Sequence, residues 1–158
     1  KKGVKVAVVG HDKVKNNVAE ADAKVIIEVR VPAQVDDAAG KTEASTVLEK
    51  EDTIAIYGSN EFAAKAIINA NGGFSESKLG ADKILAVGFD SGALQQDAIR
   101  KGIFVGSVTQ DPIQIGYQAV KLAVEAAQGK EVKDVDTGSK WYDAKNIDSD
   151  EIKALLYE

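Results

Sequence analysis

The sequence lacks cysteine and methionine and has only two prolines and one histidine among its 158 residues. Without cysteine there are no disulfides or thiolate metal sites, and a reducing or an oxidising compartment fits equally well. With His11 as the only imidazole and no G-x-S-x-G turn, a Ser-His-Asp site is not indicated. Because a ribosomal product starts with methionine, we expect the chain to be a processed, trimmed or engineered piece of a longer protein.

The charge and the apolar runs exclude further classes. The net charge is −5, and the 20 basic residues are spread without a block, so nucleic acid is not an expected partner. No apolar run approaches the roughly 18 residues that cross a bilayer, so no membrane insertion is predicted. Phosphate-binding glycine loops and metal-ligand clusters are also missing, so we expect no cofactor, no metal and no catalytic residue. The composition is that of one globular domain with a single core.

Five short, β-branched runs alternate with segments of helical spacing. Such nearly continuous apolar runs are typical of strands covered on both faces, and they span residues 4–10, 25–31, 53–59, 84–90 and 103–110. Parallel neighbours need right-handed crossovers, so the pattern predicts an α/β, flavodoxin-like, doubly wound parallel sheet. We expect a three-layer αβα lobe with strand order 2-1-3-4-5.

Helix signals stand between and after these strands. Asp36 and Asp37 are candidate caps for a helix to residue 50, and a second helix runs from residue 60 to a glycine exit at 71–73. The segment after Gly92 is a shorter helix that ends at Gly102. Asp111 and Pro112 begin the best-marked helix, which ends at Gly129. Its small-residue stripe consists of Gly116, Ala119, Val120, Ala123 and Ala127.

Two regions give weaker signals. Residues 13–23 predict only a short or irregular helix. The lobe is expected to span residues 1–130. Residues 131–158 then form a tail packed on the same lobe, with an extended stretch near 132–142 and a short helix that carries Ile152, Leu155 and Leu156.

Polar side chains stand where the predicted strands end. His11, Asn60, Asp90 and Gln110 follow strands one, three, four and five, and ligands of open α/β sheets bind outside the carboxyl ends of the strands. Asn60 and Asp90 also stand where helix N-caps are expected, as does Asp111, and His11 suits an exposed loop. A structural role explains Gln110 less well, because Asp111 is already available as the helix cap. The residues alone leave both interpretations open.

Three motifs, "IYGSNEFAAKAI", "VGFDSG" and "TQDPIQIGYQAV", resemble the type I periplasmic sugar-binding proteins of ABC transporters, the ribose-binding-like group. The resemblance covers residues 53–158 well and residues 1–52 loosely. It implies that Asn60, Asp90 and Gln110 hydrogen-bond sugar hydroxyls. His11 is a further candidate contact, and aromatic candidates to cover the sugar ring are Phe62, Phe89 and Trp141.

The resemblance also implies what the chain lacks. Members of this group close two lobes on the ligand, and this chain has residues for only the second, C-terminal lobe. An arginine that they carry after the first strand of this lobe has no counterpart here. They send the helix that matches 112–128 to the first lobe, so here it must dock on its own sheet or swap onto another molecule as a domain-swapped dimer.

The expected function is therefore non-catalytic binding of a small sugar for delivery to the membrane permease of an ABC transporter. The location would be extracytoplasmic, periplasmic or on the cell surface as a lipoprotein, and the isolated lobe would bind weakly. One alternative is the ligand-sensing core of a sugar-responsive regulator. The other is a flavodoxin-like signalling domain such as a receiver, which would need an acidic cluster after strand one and an aspartate where Asn60 stands.

Overall fold

A six-stranded sheet organises the computed structural model, which describes residues 4–9 and 25–157. The strand order is β2-β1-β3-β4-β5-β6. The first five strands are parallel neighbours, and β6 runs antiparallel to β5. The strands are β1 (Val4–Val9), β2 (Val25–Arg30), β3 (Thr53–Gly58), β4 (Leu85–Phe89), β5 (Gly106–Gln110) and β6 (Ser139–Tyr142).

The predicted order of five parallel strands is confirmed, and the extended stretch predicted near 132–142 contributes a sixth strand that the five-stranded prediction did not include. The sixth strand is four residues long and three of its four side chains are exposed, so it lacks the apolar run that marks the others. Its antiparallel pairing satisfies the backbone groups of β5, which would otherwise form an exposed edge.

Five helices are present in the described part of the chain: α1 (Asp37–Leu48), α2 (Glu61–Ala70), α3 (Ala93–Arg100), α4 (Pro112–Ala127) and α5 (Asp150–Lys153). Asp36, Asn60 and Asp111 cap α1, α2 and α4 as predicted, each accepting a hydrogen bond from a backbone N–H three residues later. Gly102 and Gly129 follow helix ends with left-handed backbone angles. The predicted helix at 13–23 lies outside the described residues.

Two local predictions around α3 are wrong. Asp90 does not cap this helix, because the N-cap position is occupied by Gly92, which has no side chain to accept a hydrogen bond. The strand predicted from residue 103 begins at Gly106 instead. The N–H groups of Ile103 and Phe104 both donate to the carbonyl of Ala98, which closes the helix, and both side chains are buried in the core.

Helices α1, α2 and α3 pack on one face of the sheet. Gly58 of β3 lies directly under the backbone of Ala64 in α2, and Gly88 of β4 lies under the side chain of Gln95 in α3. A Cβ atom at Gly58 would lie 2.6 Å from the Ala64 nitrogen, so only glycine permits this approach. The buried core beneath these helices includes Val47, Ile56, Ala63, Ile67, Ala86, Ile99 and Phe104.

Helix α4 does not pack into this core. None of its residues is buried, so of the two alternatives left open, docking on its own sheet is not observed. Its large apolar side chains Ile113, Tyr117, Val120 and Val124 are 50–72% exposed, and their spacing places them on one helix face. A 16-residue amphipathic helix therefore has an uncovered apolar face in this chain.

The tail returns to the sheet. Tyr142 of β6 is fully buried beside β5, and Ile147 and Ile152 belong to the same core cluster as the helices. The predicted short terminal helix is present as α5, with Ser149 as its N-cap. Over residues 4–9 and 25–157, no helix has the length and apolar character needed to span a membrane.

Candidate ligand-binding site

The carboxyl ends of β3, β4 and β5 bring three of the candidate side chains to one edge of the sheet. Asn60 follows β3 by two residues, Asp90 follows β4 directly, and Gln110 is the last residue of β5. Because the three strands are parallel neighbours, all three residues lie at the same edge. We call the edge formed by residues 59–61, 90–92 and 110 the rim. Its assignment to ligand contact stays a prediction.

Asn60 and Asp90 share the start of helix α2. The Asn60 side chain accepts a hydrogen bond from the Ala63 N–H at 2.9 Å. The Asp90 Oδ2 atom accepts one from the Glu61 N–H, also at 2.9 Å. Asp90 therefore stabilises the N-terminus of the helix after the neighbouring strand, where the helix dipole favours negative charge. The sequence order had indicated a cap for the helix that directly follows it.

Only one oxygen of the Asp90 carboxylate is used in this way. In the described ranges, Oδ1 accepts no hydrogen bond, and the residue is half-buried at the rim. A carboxylate can accept about four hydrogen bonds, so Asp90 retains acceptor capacity toward solvent or a ligand. Hydroxyl groups that donate to such a charged acceptor form bonds about twice as strong as neutral ones.

Ser91 and Gly92 complete the turn after Asp90. Ser91 is fully buried, and its hydroxyl donates to the Leu155 carbonyl at 3.2 Å while accepting from the Thr109 hydroxyl at 3.0 Å. Gly92 lies against the carboxylate of Glu61, so that a Cβ atom there would collide with it. The "DSG" sequence thus combines a half-buried acceptor, a buried anchor and a glycine that lies against the Glu61 side chain.

The carboxyl-terminal segment also reaches the rim, which the sequence did not predict. The Tyr157 hydroxyl lies 3.5 Å from the Ser91 N–H, and the Gln96 side-chain amide donates to the carbonyls of both Ser91 and Tyr157. Tyr157 is 66 residues from Ser91 and 61 residues from Gln96 along the chain. No local period or motif marks such a contact, so only the folded arrangement reveals it.

Three tyrosines are close enough to Asp90 for its charge to affect them. Burial raises the pKa of Tyr57, Tyr142 and Tyr157, in Tyr142 to about 12, and the negative charge of Asp90 raises each pKa further. Their hydroxyls therefore stay protonated at neutral pH, and that of Tyr142 donates to the Asp90 carbonyl at 2.8 Å. The residues around Asp90 therefore include three buried or half-buried tyrosines.

Gln110 lies at the other end of the rim. It is exposed and pairs with Ser139 of β6. A cavity of about 110 Å³ opens beside it, lined by residues of the β5 end, the loop before β6 and the carboxyl-terminal segment: Gln110, Asp111, Thr137, Gly138, Ser139, Lys140 and Leu155. A cavity of this size accommodates a few atoms rather than a whole sugar.

The aromatic candidates lie on three different elements of the lobe. The Phe62 ring packs against Gly40 of α1, and Phe89 is half-buried on β4. The Trp141 ring lies on Gly106, which is at the amino end of β5, while Gln110 is at the carboxyl end. Trp141 itself pairs with Val108, two residues before Gln110, and its ring points toward the amino end of β5. His11 lies outside the described residues.

A parallel sheet in this strand order, with polar side chains at its carboxyl edge, defines a flavodoxin-like α/β lobe. The chain belongs to a specific family with this fold: the sequence profile described as "Periplasmic binding protein domain" matches residues 2–131. No curated protein sequence matches the chain. No group of three or more His, Cys, Asp or Glu side chains that could hold a metal occurs among the residues the structure describes.

Solved structures share this fold along nearly the whole chain. A Brachyspira murdochii protein, named as an ABC transporter and LacI family transcriptional regulator, is 37% identical with a TM-score of 0.81, over 99% of this chain and 56% of that one. An Agrobacterium vitis ABC transporter solute-binding protein with bound D-fucose is 25% identical with a TM-score of 0.77, over 97% and 56%.

A third structure shows the fold alone. It is an Agrobacterium radiobacter carbohydrate transporter solute-binding protein in complex with D-arabinose, which is 22% identical with a TM-score of 0.73, over 98% of this chain and 56% of that one. The chain therefore spans a little more than half the length of each of these three proteins.

Proposed function

We propose that this chain is the C-terminal lobe of an extracytoplasmic solute-binding protein, and that it binds a small neutral sugar without catalysis for an ABC-transporter permease. The observation that carries the proposal is the half-buried Asp90 carboxylate, which has one oxygen engaged by the Glu61 N–H while the other accepts no hydrogen bond from the described residues. The bound D-fucose in the Agrobacterium vitis protein supports the sugar as the ligand class.

The chemistry of the rim suits a polyhydroxylated ligand. Sugar hydroxyls donate and accept at once, so a carboxylate beside amide side chains can pair with several of them. Asp90 would accept from one hydroxyl, while Gln110 and Asn60 would each offer amide groups to others. The aromatic contact with the sugar ring would come from Phe62 or from residues beyond this chain.

A companion lobe follows from the exposed helix. Ile113, Tyr117, Val120 and Val124 form one uncovered apolar face of α4, and the similar proteins are nearly twice as long as this chain. We infer that α4 packs on the N-terminal lobe of the whole protein. We also infer that residues 131–158 belong to the same lobe as residues 1–130, since β6 pairs with β5 and Ile147 is in its core.

Closure between two lobes supplies much of the ligand contact and excludes water. The 158-residue chain alone is therefore expected to bind sugars weakly or not measurably. Calorimetric titration with D-fucose, D-arabinose, D-tagatose, glucose, galactose and inositol should give micromolar or tighter binding of one sugar only in the two-lobe protein. Micromolar binding by the isolated chain would contradict the two-lobe requirement, and no binding by the two-lobe protein would overturn the proposed function.

Analytical ultracentrifugation of the isolated chain distinguishes the two partners of α4. We expect a monomer at low concentration, with Val120→Lys reducing any self-association. A stable dimer that Val120→Lys dissociates would instead indicate that α4 of one copy packs on another copy, as in a domain swap.

One observation favours a second candidate function. The name of the Brachyspira murdochii protein includes a LacI family transcriptional regulator, so this chain could be the sugar-sensing core of a regulator. The parent reading frame separates the two functions. A secretory or lipoprotein signal upstream supports transport, and a DNA-binding segment upstream supports regulation.

A further inference from the structure

Asp90 has an unusual backbone conformation. Its φ is +76°, and among the described residues only one other non-glycine residue, Glu76, has a positive φ. The left-handed region is unfavourable for residues with a Cβ atom, although Asp and Asn tolerate it better than most. Such a residue persists only when its surroundings hold it, and such residues concentrate at functional sites.

Three buried side chains hold the carbonyl group of Asp90. The Tyr142 hydroxyl donates to this oxygen at 2.8 Å, the Ser107 hydroxyl at 2.9 Å and the Gln95 side-chain amide at 3.3 Å. The donors come from β6, β5 and α3, and each side chain is at most 1% exposed. We call Tyr142, Ser107 and Gln95 the carbonyl clamp.

The remaining polar groups of Asp90 are also engaged. Its N–H donates to the Val108 carbonyl at 2.7 Å, which continues the pairing of β4 with β5. Its Oδ2 atom accepts from the Glu61 N–H at 2.9 Å. With the carbonyl, the N–H and one carboxylate oxygen all fixed, rotation about the Asp90 backbone would break bonds at several points. The direction of Oδ1 is determined by the same contacts.

The carbonyl clamp places polar side chains in the core, which lowers the stability of the fold. The Gln95 amide nitrogen carries two hydrogens and also lies 2.9 Å from the Phe89 carbonyl oxygen and 3.1 Å from the Ser107 hydroxyl. Its Oε1 atom is buried and accepts no hydrogen bond from the residues that the structure describes. A Cβ atom at Gly88 would lie 2.5 Å from the Gln95 amide nitrogen, so a larger residue there would displace this side chain. An apolar residue at position 95 would avoid the unpaired oxygen. Fold stability alone therefore does not explain this arrangement.

We propose that Tyr142, together with Ser107 and Gln95, is a positioning residue for ligand binding, which holds Asp90 in the left-handed conformation that directs its free carboxylate oxygen to the rim. This inference rests on the proposed function. It assigns the edge strand β6 a role in the site although none of its side chains needs to touch the ligand. Tyr142 acts through the backbone of Asp90.

A purely structural role makes a different prediction. If the Tyr142 hydroxyl only holds β6 on the sheet, it contributes to the stability of the fold and its effect on sugar affinity does not depend on the Asp90 carboxylate. Positioning through Asp90 requires that the effect of Tyr142 on affinity disappear when the Asp90 carboxylate is removed. A double-mutant cycle between positions 142 and 90 measures this coupling directly.

The variants are Tyr142→Phe, Ser107→Ala, both together, and each in an Asp90→Ala background. Thr53→Val is the matched control, because the Thr53 hydroxyl donates to the Val47 carbonyl at 3.0 Å and is buried at the opposite end of β3. Calorimetry on the two-lobe protein, with the sugar panel named above, measures affinity. Urea unfolding measures stability, and NMR of the 158-residue chain reports the φ of residue 90 through backbone ¹³C shifts and the intraresidue amide–Hα contact.

Tyr142→Phe and Ser107→Ala are each expected to weaken sugar binding about three- to tenfold, which corresponds to one lost hydrogen bond, and to have no effect on affinity in the Asp90→Ala background. Thr53→Val should lower stability comparably and leave affinity unchanged. The combined variant should lose the left-handed NMR signature at Asp90. Ser107→Ala carries the cycle if Tyr142→Phe does not fold.

Two results would overturn the inference. One is an unchanged left-handed signature in the combined variant. The other is an affinity loss that persists in the Asp90→Ala background. Failure of every sugar to bind the wild-type two-lobe protein would overturn the proposed function instead, and the NMR measurement would still decide whether the clamp sets the conformation of Asp90.

Discussion

The rim and the interior beneath α1–α3 belong to one sheet but are built from different groups. The interior is filled by Ile56, Ile67, Ile99 and Phe104 with regular strands above it. The rim contains a left-handed aspartate, and the region beneath it buries the polar residues Ser91, Gln95, Ser107 and Thr109. Dispersion and apolar burial stabilise the first region, whereas hydrogen-bond geometry defines the second. Stability and site geometry are therefore expected to respond to different substitutions.

The largest effect is expected in the interior. Ile99→Ala removes a fully buried side chain of α3 and should lower the free energy of unfolding by about 2–5 kcal/mol, because it leaves a cavity. Ile54→Ala, at a side chain that is 43% exposed, is the control and should have a much smaller effect. Urea denaturation measures both. Equal losses of unfolding free energy in the two variants would contradict the expectation that burial determines the effect.

Alkaline pH should destabilise the fold through Tyr142, whose hydroxyl donates to the Asp90 carbonyl. Burial raises the pKa of Tyr142 to about 12 from 10.0, so the protonated hydroxyl is favoured in the folded state. The resulting stability is complete below about pH 10 and is lost as the pH rises toward 12, on the order of 2 kcal/mol. Unfolding measured from pH 9 to 12 checks this slope, which Tyr142→Phe should flatten. An identical slope in the variant would contradict it.

Removing a buried hydroxyl at the rim should have an intermediate effect. Thr109 donates to Ser91 at 3.0 Å and is fully buried, so Thr109→Val should destabilise the protein by about 1–3 kcal/mol. The control is Thr46→Val, whose hydroxyl bonds the Thr42 carbonyl on the outside of α1 and should change stability little. Thermal unfolding of the two variants measures this difference in stability. A Thr109→Val variant as stable as the wild type would contradict the prediction.

The smallest effect separates capping from binding. Asn60 and Asp36 make equivalent N-cap hydrogen bonds, at 2.9 and 2.8 Å, but Asn60 is on the rim and Asp36 follows β2 at the edge of the sheet. Each change to Ala should cost about 1 kcal/mol of stability. Only Asn60→Ala should also weaken sugar binding by the two-lobe protein. If the two variants bound the sugar with equal affinity, Asn60 would be a helix cap and not a ligand contact.

Local signals in the sequence predicted most of the fold. β-branched runs, Asp36, Asn60 and Asp111 as caps, and glycine exits identified β3, β4 and the helices α1 to α4, since each depends on neighbours in the chain. The failures depend on distant groups. The sequence predicted an extended stretch near 132–142 but not its pairing with β5, and it left open where α4 packs.

The candidate site shows the same division. Strand ends of a parallel sheet meet at one edge, so the sequence predicted that Asn60, Asp90 and Gln110 would lie together. It did not predict that Asp90 serves α2, or that Tyr142 and Tyr157 approach it from 52 to 67 positions further along the chain. A hydrogen bond between a tyrosine hydroxyl and a distant carbonyl has no periodicity that a sequence could display.

The central claim is that the Asp90 carboxylate binds a sugar hydroxyl, and Asp90→Asn in the two-lobe protein tests it most directly. Asparagine tolerates the left-handed backbone and keeps the shape of the side chain, so charge is the main change. Titration calorimetry with the sugar that binds the wild type should show affinity reduced roughly 10- to 100-fold, as expected for the loss of a bond to a charged acceptor. An affinity equal to that of the wild type would contradict the claim.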